Sequence, residues 1–358
     1  MQAIDINRVK NVFGTWGSEV RILSSRPINN IFHQSPVDTE MQRLNSSTLI
    51  FFASALFGLA LLAVFISSNA SAAHNTGDET SLCNLPVSEQ IITSPLLSVL
   101  TLNLAHGRKD ALNQMLQKTS TTRKNLEEIA DFLSHSGADL IALQEADLPS
   151  RWSGKFNHVE FMSQKSPYPC RLHASHAHKY MYDFGTALLS KVPFRDSILH
   201  TFEPSPPTTN KGFVMGEVLW NPDGKLPKPI AVSVISVHLD FSRKKIRDSQ
   251  IEEMRKILPG IAKPVIILGD FNTDWSTDES ALKAIVQSGN LKVYQPDSEQ
   301  LGTYKKGKHR LDWILISDEL EFVSYEVPQL VLSDHQPVQA SLRLVEKLPA
   351  ESDSNAHE

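Results

Sequence analysis

The stretch VIILGDFN, residues 265–272, decides the fold of this chain. Its four consecutive apolar residues followed by Gly-Asp predict a buried central strand, whose final carboxylate emerges at the carboxyl end, where open α/β sheets bind their ligands. Because side chains alternate along an extended chain, Asp270 and Asn272 point to one side and Phe271 points back to the core. Taken alone, the stretch fits an ordinary strand that ends in an Asx turn equally well.

The composition of the whole chain is that of a globular protein with a substantial core. The 358 residues are 41% hydrophobic and 21% charged, with a formal net charge of −5. This acidic balance argues against a dedicated nucleic-acid binder that works by bulk phosphate attraction, although it does not exclude a local basic patch. The basic run at residues 305–310 lies beside Asp312 and fits either the attraction of a polyanionic substrate or a solvated hairpin.

The amino-terminal part of the sequence predicts export. Residues 49–66 form an uncharged apolar run close to the roughly 20 residues of a transmembrane helix, and Ala-Ser-Ala at 70–72 has the form of a signal-peptidase site. Residues 41–72 are therefore predicted to be a signal peptide or an uncleaved signal anchor, and residues 1–40 a non-native or disordered leader. The protein is then periplasmic or secreted after cleavage near Ala72, or it is anchored to the inner membrane through residues 49–66.

Apolar periodicity and turn residues divide the remainder into alternating strands and helices. A lead-in at residues 73–95 precedes a region at 96–345 that no linker divides, and a polar tail at 346–358 follows. Residues 96–144 predict a strand-helix-strand crossover, and residues 149–177 predict an irregular loop. Further strands are predicted at 185–190, 213–220, 230–239, 311–316, 321–325 and 337–344, with helices after Ser242 and around Leu282. This mixture of crossovers and hairpins predicts one α/β domain with mixed sheets.

Polar residues collect at the ends of these predicted strands. Five of them end strands directly, and three more fall beside strands: Asn103, Glu145, His238, Asp270 and Asn272, then Asp312, Asp334 and His335. Because the exits of several strands of one sheet meet at one edge, we expect these side chains to converge on a single cleft.

Six short motifs carry these residues, and in this order they resemble the endonuclease/exonuclease/phosphatase superfamily. The motifs are Leu102-Asn103, Gln144-Glu145, Ser236-Val237-His238, Gly269-Asp270-Phe271-Asn272, Arg310-Leu311-Asp312-Trp313 and Ser333-Asp334-His335-Gln336-Pro337-Val338. The resemblance implies a four-layered α/β sandwich in which two mixed β-sheets are flanked by helices. It also implies an enzyme, a metal-dependent hydrolase that acts on a phosphodiester or a phosphomonoester.

The resemblance and the chemistry of the side chains together predict a metal site. Mg²⁺, or Mn²⁺ in its place, prefers oxygen ligands and keeps several waters, so one or two protein carboxylates are sufficient. Glu145 is the expected ligand, the resemblance places Asp334 close to the metal, and Asn103 is a further candidate ligand. The ion would neutralise charge on the phosphate and stabilise the leaving oxygen.

The remaining site residues are predicted to act on the water and the phosphate. Asp270 would orient or deprotonate the attacking water, and Asn103 and Asn272 would hold the phosphate and the water in line. His238 and His335 would bind phosphate oxygens or act as acid and base. Each histidine needs an orienting partner, for which the resemblance indicates Asp312 for His335, and a looser match indicates Asp183 for His238.

The substrate is left open by these residues. A nuclease, a phospholipid or sphingolipid phosphodiesterase and an enzyme of small organophosphates all fit, and a catalytically inactive binding protein is disfavoured because the predicted site residues are all present. Trp152 and Phe156 would either form an apolar rim for a lipid or pin their loop to the domain. No obligate protein partner is indicated.

The histidines and cysteines outside these motifs allow two further predictions. Cys83 and Cys170 are the only cysteines in the chain, and in an oxidising compartment they would form either one disulfide or two separate buried thiols. His173, His176 and His178 match no standard zinc spacing, which favours a solvated loop over a metal cluster.

Overall fold

Two mixed β-sheets stacked face to face form the centre of the fold. The computed structural model describes residues 83, 85, 90–111, 113, 116–276 and 280–345, all of which belong to one unit, residues 72–358. The strands are β1 (Ile91–Ile92), β2 (Leu97–Asn103), β3 (Leu140–Asp147), β4 (Cys170–Lys179), β5 (Tyr182–Ser190), β6 (Ser197–Thr201), β7 (Gly212–Trp220), β8 (Ile230–His238), β9 (Val265–Asp270), β10 (Leu291–Val293), β11 (Asp312–Ser317), β12 (Leu320–Glu326) and β13 (Val338–Leu344). The helices are α1 (Thr119–His135), α2 (His158–Ser163), α3 (Lys244–Ile257) and α4 (Ala281–Gly289).

The order of the strands in each sheet brings distant parts of the chain together. One sheet has the order β1-β7-β8-β9-β11-β10, with β6 paired to β7, and the other has the order β12-β13-β2-β3-β5-β4. The pairs β2-β3 and β8-β9 are parallel, whereas β7-β8 and β9-β11 are antiparallel. The crossover predicted for residues 96–144 is confirmed by the parallel pair β2-β3, and the strands predicted at 213–220 and 230–239 form the hairpin β7-β8.

Three apolar cores hold four layers together, as the resemblance implied. The core between the sheets contains residues such as Val99 and Ile266, one from each sheet. Helices α1 and α2 cover the outer face of the β2-β3 sheet, and α3 and α4 cover the outer face of the β8-β9 sheet. Since burying one large aliphatic side chain contributes about 1.5–3 kcal/mol, these three interfaces supply most of the driving force for folding.

The stretch VIILGDFN forms strand β9 at the middle of its sheet, with β8 on one side and β11 on the other. All six residues of β9 are buried, and the Phe271 ring lies in the outer core as predicted. Gly269 has a φ of 146°, and a Cβ added there would lie 2.1 Å from the carbonyl oxygen of Val237. Only glycine therefore allows β8 to approach this closely just before Asp270.

The prediction of an irregular loop at residues 149–177 is wrong. The segment contains helix α2 and most of strand β4, on which His176 is buried, His173 is half-buried and His178 is exposed. Alternation of buried and less buried residues is present at the start of β4, but its buried positions include Ala174 and His176, so the apolar signal is weak. The prediction that these three histidines lie in a solvated loop is wrong for the same reason.

Two other predictions concern the two cysteines and Phe156. Cys83 and Cys170 form a disulfide, which connects the lead-in to the start of β4. The Phe156 ring packs against Phe161 and under the guanidinium of Arg123, as expected of a residue that pins its loop to the domain.

The predicted leader, the predicted signal segment and residues 346–358 lie outside the described residues. Among the residues that are described, no helix has the length and apolar character needed to cross a membrane.

Candidate active site

A cleft of about 550 Å³ opens where the strands of both sheets end. Strands β8, β9 and β11 pair so that His238 lies beside Asp270 and Asp270 beside Asp312, which puts three site residues at one level of the sheet. The lining includes most of the predicted site residues: Asn103, Glu145, His238, Asp270, Asn272, Asp334 and His335. The expected convergence of strand ends is therefore what the structure shows.

Asp270 is the central acidic group of this cleft. It is buried, and its carboxylate accepts hydrogen bonds from the Asn103 side-chain amide at 3.0 Å and from the backbone N–H of Asn272 at 2.9 Å. Burial is the main reason that the pKa of Asp270 rises to about 7, and the nearby Asp312 carboxylate adds to this effect. A carboxylate with a pKa near neutrality can take a proton from water and release it again.

His335 and Asp312 form a buried pair on one side of Asp270. The Nδ1 atom of His335 lies 2.8 Å from Asp312 Oδ2, and its Nε2 atom lies 3.9 Å from Asp270 Oδ2. The Thr303 hydroxyl donates to the same Asp312 oxygen at 2.6 Å, which fixes the carboxylate. Burial alone would lower the pKa of His335, but the charges of Asp312 and Asp270 raise it to about 10. The ring is therefore an imidazolium at neutral pH.

His238 on the other side of Asp270 has a different partner from the one predicted. Asp183 accepts from Ser175 at the edge of its sheet and contacts His178 Nδ1 at 2.9 Å, so the assignment of Asp183 to His238 is wrong. Instead the buried ammonium of Lys211 lies 3.1 Å from His238 Nε2 and 3.3 Å from Nδ1.

This cationic neighbour changes the charge expected for His238. Burial is the largest cause, and the charge of Lys211 the next, of a pKa that lies well below the ordinary value. His238 is therefore a neutral ring, which can accept one hydrogen bond and donate one. The two histidines beside Asp270 thus carry different charges because one has a carboxylate partner and the other an ammonium partner.

Asn272 is held by its backbone conformation as well as by hydrogen bonds. It has a φ of 49°, in the left-handed region, and its side-chain amide donates to the Leu239 carbonyl at 3.0 Å. Asparagine tolerates this region better than most residues. Its side-chain oxygen is the group that remains to face the cleft.

Glu145 is displaced from the regular ladder of β3. A bulge between Gln144 and Ala146 leaves Glu145 unpaired, with a φ of 49°, and its side chain is 21% exposed toward the cleft. The Nε2 atom of His106 lies 3.2 Å from Glu145 Oε2. Burial would raise the pKa of Glu145, but nearby positive charges, that of His106 first, lower it below the ordinary value.

Asp334 lies across the cleft and is paired with an arginine. The guanidinium of Arg108 donates to Asp334 Oδ2 at 2.6 Å, and both side chains are partly exposed. Arg108 also belongs to the segment that follows Asn103, so this ion pair connects the end of β2 to the loop before β13.

The sequence matches the model of the endonuclease/exonuclease/phosphatase family over residues 100–335, which include every predicted site residue. The chain belongs to this family. Members of the endonuclease/exonuclease/phosphatase family are phosphoester hydrolases, and this chain is therefore a hydrolase of phosphate ester bonds. No significant match was found among curated protein sequences.

Solved structures of the same family share the fold at low sequence identity. An endonuclease/exonuclease/phosphatase from Beutenbergia cavernae is 16% identical, with a TM-score of 0.54 over 70% of this chain and 72% of that one. A family protein from Leptotrichia buccalis is 19% identical, with a TM-score of 0.52 over 69% of this chain and 100% of that one. The human Nocturnin catalytic domain, solved with a bound sulfate anion, is 18% identical, with a TM-score of 0.50 over 71% and 96%.

The family generally depends on a divalent metal, and the cleft offers suitable ligands for one. Glu145 and Asp334 present partly exposed carboxylates to the same cleft. The Asn103 side-chain oxygen is within the cleft but already accepts from the Ala105 backbone at 3.0 Å. A set of oxygen donors with room for water suits Mg²⁺ or Mn²⁺, so the residues fit the group.

Asp270, Asp312 and His335 form a second group that could hold an ion by distance alone. All three are buried, and the Nδ1 atom of His335 is already hydrogen bonded to Asp312. Because His335 is protonated at neutral pH, an ion here would have to displace a proton that two carboxylates stabilise. Glu145 and Asp334 are the better ligand pair on this argument.

Sequence reasoning missed several residues that contact the predicted site residues, including three charged or titratable ones. Lys211, His106 and Arg108 all contact predicted site residues. His106 and Arg108 follow Asn103 closely in the sequence, so a search just beyond the strand end could have found them. Lys211 precedes a strand, and nothing in its sequence surroundings distinguishes it from a surface lysine.

Proposed function

We propose that the protein is an exported, divalent-metal-dependent phosphoesterase that hydrolyses its substrate by attack of an activated water. The observation that carries this proposal is the arrangement of Asp270 between a cationic His335 and a neutral His238, in the cleft that also holds Glu145 and Asp334. This arrangement combines a base near neutrality, a proton donor and a set of metal ligands in one place.

The surroundings of each site residue suit it to one step of the hydrolysis. Asp270 takes the proton from the attacking water, and the Asn103 amide that donates to Asp270 keeps its carboxylate in place. The imidazolium of His335 gives its proton to the leaving oxygen as the bond from phosphorus to that oxygen breaks. His238 donates its N–H to a phosphate oxygen. A divalent ion bound at Glu145 and Asp334 would offset the negative charge that develops on the phosphate.

Hydrolysis of activated esters tests this proposal directly. The purified protein is assayed with bis(p-nitrophenyl) phosphate and p-nitrophenyl phosphate in Mg²⁺ or Mn²⁺, beside Asp270→Asn and the control Asp183→Asn. We expect metal-dependent release of nitrophenol from the wild type and from Asp183→Asn, and little from Asp270→Asn. No wild-type activity with either ester, or activity that survives EDTA or the loss of Asp270, would sink the proposal.

The substrate is identified by a comparison of natural esters in the same assay. Plasmid DNA, RNA, sphingomyelin and inositol phosphates represent the nucleic-acid, lipid and small organophosphate classes. The cleft lining includes Arg108 and Lys305, whose cationic groups suit any anionic ester. It also includes Phe241, which is 62% exposed. The class with the highest kcat/KM under equal metal concentrations is the substrate class.

Export is supported by two features. The predicted signal segment at 41–72 precedes the domain, and the Cys83–Cys170 disulfide is typical of oxidising compartments. Amino-terminal sequencing of the protein from a cell envelope or culture medium tests it, with a new terminus at Ala73 expected. A protein found in the cytoplasm with residues 41–72 intact would contradict export.

A further inference from the structure

A chain of buried polar groups lies behind Glu145, on the side away from the cleft. His106 contacts Glu145 through Nε2 at 3.2 Å and Asp147 through Nδ1 at 2.8 Å. His158 lies on the far side of Asp147, with its Nδ1 atom 3.5 Å from the same carboxylate oxygen and its Nε2 atom 3.0 Å from the Ser153 carbonyl. The mechanism proposed above uses none of these three residues.

Hydrogen-bond chemistry determines the orientation of the His106 ring. Its Nδ1 atom is hydrogen bonded to Asp147, and this bond turns its Nε2 atom toward the Glu145 carboxylate. Asp147 is completely buried, and its second oxygen has no hydrogen-bond partner among the described residues. A buried carboxylate in this position depends on its histidine neighbours, which ties the ring and the carboxylate into one unit.

The backbone and the neighbouring aromatic rings also hold His106 in place. Its φ of 53° lies in the left-handed region, and the carbonyl of the next residue, Gly107, accepts from Asn125 at 2.9 Å. The ring meets Phe184 edge-on with 4.7 Å between centroids and Trp152 at 5.6 Å. A strained residue persists only where its surroundings over-determine its conformation, and such residues cluster at functional sites.

The Glu145 carboxylate requires a neighbouring group to fix its orientation. Glu145 lies in a bulge with a left-handed φ, so strand pairing does not determine where its carboxylate points. The ion-pair contact with His106 Nε2, 3.2 Å from Oε2, restrains one of its oxygens. Glu145 also lines the cleft that contains Asp334.

We propose that His106, held by Asp147, is a positioning residue that orients the Glu145 carboxylate for a divalent metal ion. The proposal rests on the metal dependence proposed above and adds to it the residues that set the affinity. Groups that hydrogen bond to a metal ligand orient it, and their loss typically lowers metal affinity by about 10–100-fold. Metal affinity is a property that a purely structural role for His106 would not change.

Binding of Mn²⁺ to the full chain, followed by the EPR signal of the free ion, tests this inference without turnover. The variants are His106→Phe, which keeps a ring but donates no hydrogen bond, and Asp147→Asn, which keeps the shape but removes the charge. The control is His200→Phe, because His200 forms a comparable pair with Glu253 at 3.1 Å outside the cleft. Thermal unfolding of each metal-free variant shows whether it is folded.

We expect His106→Phe to lower the affinity for Mn²⁺ about tenfold or more, Asp147→Asn to lower it less, and His200→Phe to leave it unchanged. If His106→Phe does not fold, Asp147→Asn decides. Folded variants at both positions that bind Mn²⁺ as tightly as the wild type would overturn the inference. In that case metal-dependent hydrolysis by the wild type would still support the proposed function. Conversely, an Mn²⁺ affinity that depends on His106 in a protein that hydrolyses no ester would leave the inference standing and remove the function.

Discussion

Replacement of Asp312 by asparagine should change the charge of His335 with very little change in shape. Asp312 is fully buried, and its carboxylate lies 2.8 Å from His335 Nδ1. Burial lowers the pKa of His335, and Asp312 is the largest of the influences that raise it, so the wild-type pKa is about 10. Without that carboxylate the largest opposition to burial is lost, and we expect the pKa of His335 to fall toward the ordinary value of about 6.5.

The size of the effect follows from this change in pKa. A difference between about 10 and about 6.5 corresponds to roughly 5 kcal/mol in the preference for the imidazolium. At pH 8 the variant ring would be neutral and unable to donate a proton to the leaving oxygen. Since a positioned acid contributes on the order of 10²–10⁴ in rate, kcat/KM at pH 8 should fall by that factor.

The assay is the pH dependence of kcat/KM for bis(p-nitrophenyl) phosphate between pH 5 and 9, with Asp183→Asn as the control. The wild type should keep its activity toward the alkaline end, whereas Asp312→Asn should lose activity as the pH rises through about 6.5. A variant profile parallel to that of the wild type over this range would refute the role given to the His335–Asp312 pair.

The same pair predicts how stability depends on pH. The folded pKa of His335 lies above its unfolded value, so its contribution to stability is fully present below about pH 6.5 and is lost as the pH rises through about 10. Breaking a buried ion pair costs about 3–5 kcal/mol. Urea unfolding should therefore show the largest difference between the wild type and Asp312→Asn near pH 6 and a smaller one near pH 10.

Three further predictions concern other parts of the site and its support. Because burial raises the pKa of Asp270 to about 7, kcat/KM should rise with pH through about 7, and a flat acidic limb would contradict its role as the base. Lys211→Met should lower kcat/KM roughly 10–100-fold, since a hydrogen bond from a charged group is worth about 1.5–3 kcal/mol. The same variant should raise the pKa of His238 measured by NMR, and an unchanged pKa would contradict this prediction. Gly212→Ala should destabilise the fold by about 1–3 kcal/mol, because the added Cβ would lie 2.2 Å from the His200 carbonyl oxygen. An unchanged midpoint of urea unfolding would contradict the close approach of β6 and β7.

Local pattern was sufficient to find the strands that carry the site. The apolar run of β9, its glycine and the polar residues that follow made Asp270 and Asn272 candidates before any contact was known. The same pattern at other strand ends identified Asn103 and Glu145. These predictions succeeded because the burial of a strand, the alternation of its side chains and its end all depend on residues that are adjacent in the sequence.

Prediction from local sequence failed in parts of strands β3 and β4. The predicted second strand ended before Glu145, yet β3 continues to Asp147 through a bulge at that glutamate. Strand β4 was missed because a histidine, His176, occupies one of its buried positions and the strand is polar elsewhere. The pKa of His176 is lowered to about 3 mainly by burial, so this residue behaves as a neutral core side chain that bonds two threonine hydroxyls.

The sequence by itself determined the family, the central strand and the residue types that face the cleft. Only the tertiary structure decided which of those residues touch. Lys211 reaches His238 because it directly precedes Gly212, which pairs with His238 in the β7-β8 ladder. Asp183 lies on β5 and contacts Ser175 and His178 of the neighbouring strand β4 instead. Partners that lie far apart in sequence are selected by strand order and register, and a single sequence does not specify either of these locally.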